Sequence, residues 1–103
     1  MTPLEALRRI IIIPAFNEAS NLPRVVPEIR SRAPGFDLVV VDDGSSDATS
    51  SVARSLGVSV IPLPVNLGYG GAVQTGFRHA VRHGYAVAVV VDAAGQHEPA
   101  NIV

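Results

Sequence analysis

The chain has 103 residues, 48% of them hydrophobic, and a formal net charge of -1. This length suits one small domain. The hydrophobic content is enough for a buried core and excludes a disordered tail. The charge balance makes nucleic acid a poor candidate partner, and the absence of cysteine excludes disulfides, thiolate metal sites and cysteine nucleophiles.

Four short apolar runs predict β-strands. They cover residues 9–14, 36–42, 58–62 and 85–92. Each run is rich in isoleucine, valine or leucine and lacks a clear polar alternation, which is typical of strands whose two faces are both covered. We therefore expect parallel strands inside a layered α/β fold.

Between the first two strands, apolar residues recur with helical spacing. Leu22, Val25, Val26 and Ile29 stand at i, i+3, i+4 and i+7, which places them on one helix face. Pro27 lies inside this pattern and lacks the backbone N–H that a helix interior uses. The sequence therefore predicts an amphipathic helix that either bends at Pro27 or starts late.

Two further helices are predicted between the later strands. The second has Ser46 or Asp47 as its N-cap and Gly57 just beyond its end. Its predicted buried residues are Val52, Ala53 and Leu56. The third ends at His83 and is closed by Gly84. Its predicted buried residues are Val73, Phe77, Ala80 and Val81.

Strands and helices alternate along the chain, which implies a parallel sheet with right-handed crossovers and helices on both faces. We expect residues 1–103 to form one Rossmann-like α/β unit. A fourth helix is predicted to begin at Glu98 and Pro99, so the unit is expected to be truncated. In such a sheet, ligands bind beyond the carboxyl ends of the strands, where the winding reverses.

Acidic residues concentrate at those strand ends. Five of the nine lie in the turns that follow the four strands: Glu18, Asp42, Asp43, Asp47 and Asp92. Scattered surface charge would not concentrate in this way. For two of them a structural role is predicted, because Asp47 suits a helix N-cap and Asp42 suits a turn.

The same four strand ends carry segments that resemble a known family. IIIPAFNEASNL, LVVVDDGSSDAT, NLGYGGAVQTGF and DAAGQHEP, in this order, are similar to family 2 glycosyltransferases of the GT-A fold. Within that family the segments most resemble polyprenyl-phosphate sugar synthases of the dolichyl-phosphate mannose type. For the fold, the resemblance implies the strand order 3-2-1-4, which places Asp92 beside residues 14–18. The resemblance implies a GDP- or UDP-sugar donor, a divalent cation (Mg²⁺ or Mn²⁺) and a polyprenyl-phosphate or similar acceptor.

It also implies that the chain holds only the donor-binding half. The acceptor site and the catalytic base of the family lie in a second half, so this chain alone is not expected to transfer sugar. For the complete enzyme the resemblance implies inverting transfer, and for its setting bacterial cell-envelope biosynthesis.

Site roles follow from the resemblance, position by position. Pro14 and Ala15 turn the chain beyond the first strand. Phe16 is expected against the base or ribose, Glu18 on a ribose hydroxyl, and Asp43 on a base N–H. The backbone of Val41 is expected beside that base. The alternatives are an Asn-Glu helix cap with a core phenylalanine, and an Asx turn at Asp43.

The fourth strand end departs from the family pattern. Asp92 and Gln96 match the cation ligands that the resemblance implies, and Ala93 belongs to the predicted donor-binding set. Ala94 occupies the position of the second aspartate of an Asp-x-Asp motif. Since a methyl group cannot bind Mg²⁺ or Mn²⁺, we expect weaker metal and donor binding than is usual in the family.

Other site readings are less favoured. The glycines at 68, 70, 71 and 76 lack the G-x-G-x-x-G spacing and follow the third strand, so a tight loop and close helix packing are expected. His79 and His83 share a helix face without a third ligand nearby. The chain has no lysine, which excludes a P-loop.

Two rival functions remain. A non-catalytic module that binds a nucleotide or a partner is favoured by Ala94 and by the early end of the chain. A sugar nucleotidyltransferase would carry a basic, glycine-rich loop after the first strand, which PAFNEAS is not. No apolar run approaches the ~20 residues of a membrane span. We expect a cytoplasmic chain, with membrane contact through other regions and homo-oligomers through an exposed sheet edge.

Overall fold

The computed structural model describes residues 7–93, and its elements alternate as predicted. They are β1 (Arg9–Ala15), α1 (Leu22–Arg32), β2 (Asp37–Asp42), α2 (Thr49–Ser55), β3 (Ser59–Pro62), α3 (Tyr69–Arg82) and β4 (Val87–Val90). The fourth helix predicted at residues 98–99 lies outside the described residues.

The strands form one parallel sheet in the order β3-β2-β1-β4, which confirms the predicted topology. β1 lies between β2, where Ala15 pairs with Asp42, and β4, where Ile12 pairs with Val90. The chain winds outward from β1 through β2 to β3 and then returns across the sheet to β4. The winding therefore reverses between β1 and β4, and their carboxyl ends flank the crevice where such sheets bind ligands.

Each face of the sheet has its own apolar core. Ile11 and Ile13 of β1 pack on the face covered by α1 and α2, and Ile10 and Ile12 pack on the face covered by α3. All four isoleucines are at most 1% exposed. Side chains alternate between faces along a strand, so an unbroken apolar run is the pattern of a strand buried on both sides.

Helix α1 matches its predicted face. Leu22, Val25, Val26 and Ile29 are all buried. Pro27 lies within the helix on its exposed side, and the helix already begins at Leu22, so the late start is wrong. Packing of the apolar face compensates for the hydrogen bond that the proline cannot donate.

Helix α3 corrects the sequence prediction. Phe77 and Val81 are 42% and 80% exposed, and Val73 is only half-buried. The buried residues are Ala72, Gly76 and Ala80. A Cβ at Gly76 would lie 2.3 Å from Cγ2 of Ile12, so the helix approaches β1 too closely for larger side chains. These small residues stand at i, i+4 and i+8, and that spacing was the sequence signal for the buried face of α3.

The outer strands are also less buried than predicted. β4 covers Val87–Val90 rather than residues 85–92, and all its residues are at least partly exposed. β3 is likewise partly exposed. Each is an edge strand with one neighbour, so part of its surface stays uncovered within the described residues. In β2 and β3 the differences from prediction are one residue at the start.

Candidate functional site

A cleft of about 250 Å³ opens beyond the carboxyl ends of β1 and β4. It contains six of the eight predicted donor-binding residues: Pro14, Ala15, Phe16, Glu18, Asp43 and Asp92. The other two, Val41 and Ala93, are fully buried and do not line it. The predicted proximity of Asp92 to the turn after β1 is therefore confirmed.

Four lining residues were not predicted. They are Asn66, Gly68, Tyr69 and Ala72, from the loop after β3 and the first turn of α3. The sequence carried a signal for them, because this segment follows a strand and therefore meets the same sheet edge.

Asp43 holds the loop after β3 in place. Its carboxylate is 4% exposed, and Oδ1 accepts the N–H of Leu67 at 2.7 Å while Oδ2 accepts that of Gly68 at 3.0 Å. Its backbone carbonyl also accepts Nδ2 of Asn66 at 3.2 Å. A carboxylate oxygen has two lone pairs, so each keeps an acceptor position beyond the one used by the loop.

The loops after β2 and β3 touch at a glycine. Gly44 has φ +73°, and a Cβ there would lie 2.7 Å from the backbone nitrogen of Asn66. A larger residue would be strained by its backbone conformation and would push the two loops apart. Gly44 therefore fixes how closely the loop after β3 approaches Asp43.

Asp42 has the turn-holding role that was predicted for it. Its Oδ1 accepts the N–H of Ser45 at 3.0 Å, and its Oδ2 accepts the hydroxyl of Ser50 at 2.5 Å. Both partners belong to the turn and helix that follow β2. The carboxylate is committed to that turn and does not line the cleft.

Asp47 stands one residue before the N-cap of α2, so the prediction that Asp47 or Ser46 is the N-cap is wrong. Helix α2 starts at Thr49, and the capping position is Ala48. Oδ1 of Asp47 accepts the backbone N–H of Thr49 at 2.9 Å and its hydroxyl, and Oδ2 accepts the N–H of Ala19 at 3.2 Å. The hydrogen bond from the Thr49 hydroxyl, followed by those backbone N–H groups, lowers the pKa of Asp47 against the opposing effect of burial.

Phe16 and Glu18 both reach the cleft. Phe16 is 48% exposed, so the core-phenylalanine alternative is wrong. Glu18 also helps to start α1, because its backbone carbonyl accepts the N–H groups of Asn21 and Leu22 at 3.0 Å each. Its Oε1 accepts Nδ2 of Asn21 at 2.7 Å. The helix-start role and a place in the cleft therefore coexist at Glu18.

Asn17, for which no role in the site was predicted, lies between the two cleft residues Phe16 and Glu18. It has φ 55°, which is unusual for a residue with a side chain. Its Oδ1 accepts the N–H groups of Ser46 and Asp47 at 2.9 and 3.3 Å. Asparagine tolerates this backbone conformation and carries a side-chain acceptor, so its presence in a strand-end turn was a usable signal.

Asp92 is the cation ligand predicted within the described residues, whereas Ala94 and Gln96 lie outside them. It is half-buried and lines the cleft. Mg²⁺ takes six oxygen ligands. Among residues 7–93, no three His, Cys, Asp or Glu side chains converge to hold a metal ion. The side chains of residues 7–93 alone therefore do not build a cation site.

A second cavity, of about 270 Å³, lies at the amino ends of the strands. Its lining includes Tyr85, whose hydroxyl donates to Asp37 at 2.5 Å, and His79. Burial, followed by the neighbouring His83 and Arg82, lowers the pKa of His79. This cavity is slightly larger than the cleft, but it lies at the edge of the sheet opposite the one where parallel α/β sheets bind ligands.

The fold is a parallel α/β sheet with a cleft at its carboxyl edge, and comparison with known proteins defines the family. The model of Glycosyl transferase family 2 matches residues 10–102. This chain belongs to that family.

Named relatives cover most of the chain. Polyprenol monophosphomannose synthase of Mycolicibacterium smegmatis is 38% identical over 101 residues, which is 92% of this chain and 38% of that protein. Undecaprenyl-phosphate mannosyltransferase of Micrococcus luteus is 37% identical over 93% of this chain and 42% of its own length. The chain thus spans about two fifths of the length of these relatives.

Solved structures share the fold. A mannosyltransferase from Pyrobaculum calidifontis, in complex with GDP-Man and Mn²⁺, superposes with a TM-score of 0.70 over 86% of this chain and 28% of its own, at 24% identity. Glucosyl-3-phosphoglycerate synthase from Mycobacterium tuberculosis, with Mn²⁺, UDP and glucosyl-3-phosphoglycerate, gives 0.68 over 85% of this chain and 34% of its own, at 26% identity. Both likenesses support the GT-A assignment.

Within residues 7–93, no helix combines the length and the hydropathy that crossing a bilayer requires.

Proposed function

We propose that this chain binds the nucleotide part of a GDP- or UDP-sugar in the cleft beyond β1 and β4. The observation that carries the proposal is the convergence of Phe16, Glu18, Asp43 and Asp92 on one cleft at the reversal of the sheet. Family membership supports the same ligand class, and the synthase from Mycobacterium tuberculosis was solved with UDP.

Each cleft residue has a chemical role in the proposal. The exposed ring of Phe16 packs against the base or ribose, and Glu18 accepts a hydrogen bond from a ribose hydroxyl. Asp43 accepts an N–H of uracil or guanine through the acceptor positions that the loop after β3 leaves. Val41 and Ala93 belong to the set through their backbones, since their side chains are buried.

The cation belongs to the diphosphate end of the site. Asp92 and Gln96 are the residues that would hold Mg²⁺ or Mn²⁺, and the cation would offset charge on the diphosphate as the nucleotide leaves. Ala94 removes one carboxylate from this set, so binding of metal and donor is weaker than with a second aspartate there. The donor site is correspondingly more dependent on Phe16, Glu18 and Asp43.

For the complete protein, we propose sugar transfer to a polyprenyl phosphate or a similar lipid phosphate. The relatives are named for polyprenol and undecaprenyl phosphate, and they extend well beyond the length of this chain. The acceptor site and the catalytic base belong to that further length. A second candidate, a non-catalytic nucleotide-binding module, is favoured by Ala94, which replaces the second aspartate that the family pattern has after Asp92.

Thermal unfolding of the 103-residue chain with GDP, UDP and their sugars, each with and without Mn²⁺, tests the donor site. A ligand at ~100 times its Kd adds about 2.7 kcal/mol. In a domain of this size, that raises the midpoint by roughly ten degrees or more. We expect such a shift with one of the two nucleotides.

Two phenylalanines give a matched pair of variants for this experiment. Phe16 and Phe77 are similarly exposed, at 48% and 42%, but only Phe16 lines the cleft. Phe16→Ala should reduce the nucleotide-dependent shift, whereas Phe77→Ala should preserve it. An unchanged shift in Phe16→Ala would contradict the proposed placement of the nucleotide.

The cation proposal has its own variant. Ala94→Asp restores the second carboxylate of the family pattern and should enlarge the Mn²⁺-dependent part of the shift. Asp92→Asn should diminish it. If Ala94→Asp responds to Mn²⁺ no more than the original chain does, the proposed weakening of the metal site by Ala94 is wrong.

A further inference from the structure

Two loops at the carboxyl edge of the sheet are bonded to each other along their length. The β1 loop, residues 16–21, joins β1 to α1, and the β2 loop, residues 43–48, joins β2 to α2. The N–H of Ala19 donates to Asp47 at the end of the β2 loop, and the N–H of Glu18 donates to the hydroxyl of Thr49, the first residue of α2. Specific hydrogen bonds therefore hold the β1 loop against the β2 loop and the start of α2.

Asn17 makes the densest group of these contacts. Its Oδ1 accepts the backbone N–H of Ser46 at 2.9 Å, the hydroxyl of Ser46 at 3.3 Å and the N–H of Asp47 at 3.3 Å. Its own N–H donates to the hydroxyl of Ser45 at 2.8 Å. One residue thus joins the β1 loop to three consecutive residues of the β2 loop.

Asn17 lies between two residues that line the cleft, so its contacts can affect the shape of the site. Its two neighbours, Phe16 and Glu18, both line the cleft, and Asp43 lines it from the first residue of the β2 loop. The β1 loop turns at Asn17 with φ 55°. The separation between the groups proposed to meet base and ribose therefore depends on how Asn17 fastens the two loops.

We infer that Asn17 is a positioning residue of the nucleotide site: its carboxamide oxygen clasps the β2 loop and so holds Phe16 and Glu18 at a fixed distance from Asp43. The inference rests on the proposed function for the identity of the ligand, but the clasp itself is a property of the ligand-free chain. Asparagine suits the place because its Oδ1 accepts several hydrogen bonds and its backbone tolerates a positive φ.

Three substitutions separate the clasp from the backbone turn. Asn17→Gly keeps the positive φ and removes the acceptor, Asn17→Ala removes both, and Asn17→Asp keeps both. Calorimetric titration of the nucleotide should show affinity about tenfold weaker for the glycine and alanine variants. The aspartate variant should recover most of that loss. Wild-type affinity in Asn17→Gly would overturn the inference, since only the backbone turn would then be needed.

Amide hydrogen exchange in the absence of nucleotide gives an independent readout. In Asn17→Gly, the amides of Ser46 and Asp47 should exchange faster, and so should those of Phe16 and Glu18. Unchanged exchange at Phe16 and Glu18 would overturn the clasp. Faster exchange with unchanged affinity would also overturn it, because the clasp would then not position the site.

A control removes a hydrogen bond of similar kind at the other end of the sheet. Tyr85→Phe deletes the bond from the Tyr85 hydroxyl to Asp37 and should leave nucleotide affinity at the wild-type value. If the wild-type chain binds neither GDP nor UDP, the proposed function fails, while the amide exchange of Asn17→Gly still decides the clasp.

Discussion

At the scale of single residues, four of the carboxylates that follow parallel strands each make a different set of contacts in the structure. Asp42 holds the turn after β2, and Asp47 links the start of α2 to the β1 loop. Asp43 anchors the loop after β3, and Glu18 bonds Asn21 at the start of α1. Spacing in the sequence predicted that they would converge, because all follow parallel strands. The local partners of Asp42, Glu18 and Asp47 lie within reach of turn and helix-start patterns, but the bonds from Leu67 and Gly68 to Asp43 and from Ala19 to Asp47 join segments 24–28 residues apart, which spacing does not predict.

Asp43 should contribute to stability as well as to binding. In Asp43→Asn, the amide NH₂ would face a backbone N–H of Leu67 or Gly68, leaving a buried donor unsatisfied. We expect a loss of about 1–3 kcal/mol in the free energy of unfolding, measured by urea denaturation. Asp37→Asn, at a carboxylate that is 61% exposed, should cost less than ~1 kcal/mol. Equal losses in the two variants would contradict the anchoring role.

Asp47 should make stability depend on pH in acid. Its hydrogen bonds with Thr49 and Ala19 lower its pKa below the ordinary value of 3.8. The stabilisation is therefore fully present above pH 3.8 and is lost as the pH falls through the lower pKa of the folded state. Urea denaturation of Asp47→Asn across this range should show a smaller fall in stability than the wild-type chain. Parallel curves for the two proteins would contradict this assignment.

At the scale of elements, α1 followed its sequence pattern and α3 did not. In α1, large apolar residues fill the space between helix and sheet, so spacing alone identified the buried face. In α3, the close approach to Ile12 leaves room for Ala72, Gly76 and Ala80 only. The distance between a helix and the sheet is a tertiary property, and the hydrophobicity of single positions carries no measure of it.

The close approach predicts opposite effects for two glycines of α3. In Gly76→Ala, the new Cβ would meet Ile12, and we expect a loss of about 1–3 kcal/mol from overpacking. In Gly70→Ala, nothing lies within 4 Å of the Cβ, and the better helix propensity of alanine should stabilise by up to about 1 kcal/mol. Thermal unfolding compares the two directly. A Gly76→Ala variant as stable as Gly70→Ala would contradict the packing of α3 on β1.

At the scale of the whole molecule, the alternation of strands and helices predicted a parallel sheet with its ligand site at the carboxyl edge, and the resemblance to family 2 glycosyltransferases supplied the strand order. The order β3-β2-β1-β4 puts β1 inside the sheet and its carboxyl end beside that of β4. Membership of Glycosyl transferase family 2 excludes the sugar nucleotidyltransferase alternative. The hydrogen bonds between Asn17 and the β2 loop could not be predicted in this way, because they depend on how the two loops are positioned relative to each other.

The exposed edges of the sheet stay a matter of prediction. β3 and β4 each have one neighbouring strand within the described residues, and homo-oligomers through such an edge remain the expectation from the sequence. The further length of the relatives is the proposed location of the acceptor site. The proposed donor site needs neither an oligomer nor the further length of the relatives, because its residues all lie at the carboxyl ends of the strands of this chain or just after them.

Nitrogen-15 NMR spectra of the chain, titrated with GDP and UDP in the presence of Mg²⁺, test the central claim most directly. The carboxyl-edge cleft and the amino-edge cavity have similar volumes but share no lining residue. The account predicts that one nucleotide shifts the amide signals of Phe16, Glu18 and Gly68 and leaves those of Ser59 and Tyr85 in place. Shifts confined to Ser59 and Tyr85, or none with either nucleotide, would contradict it.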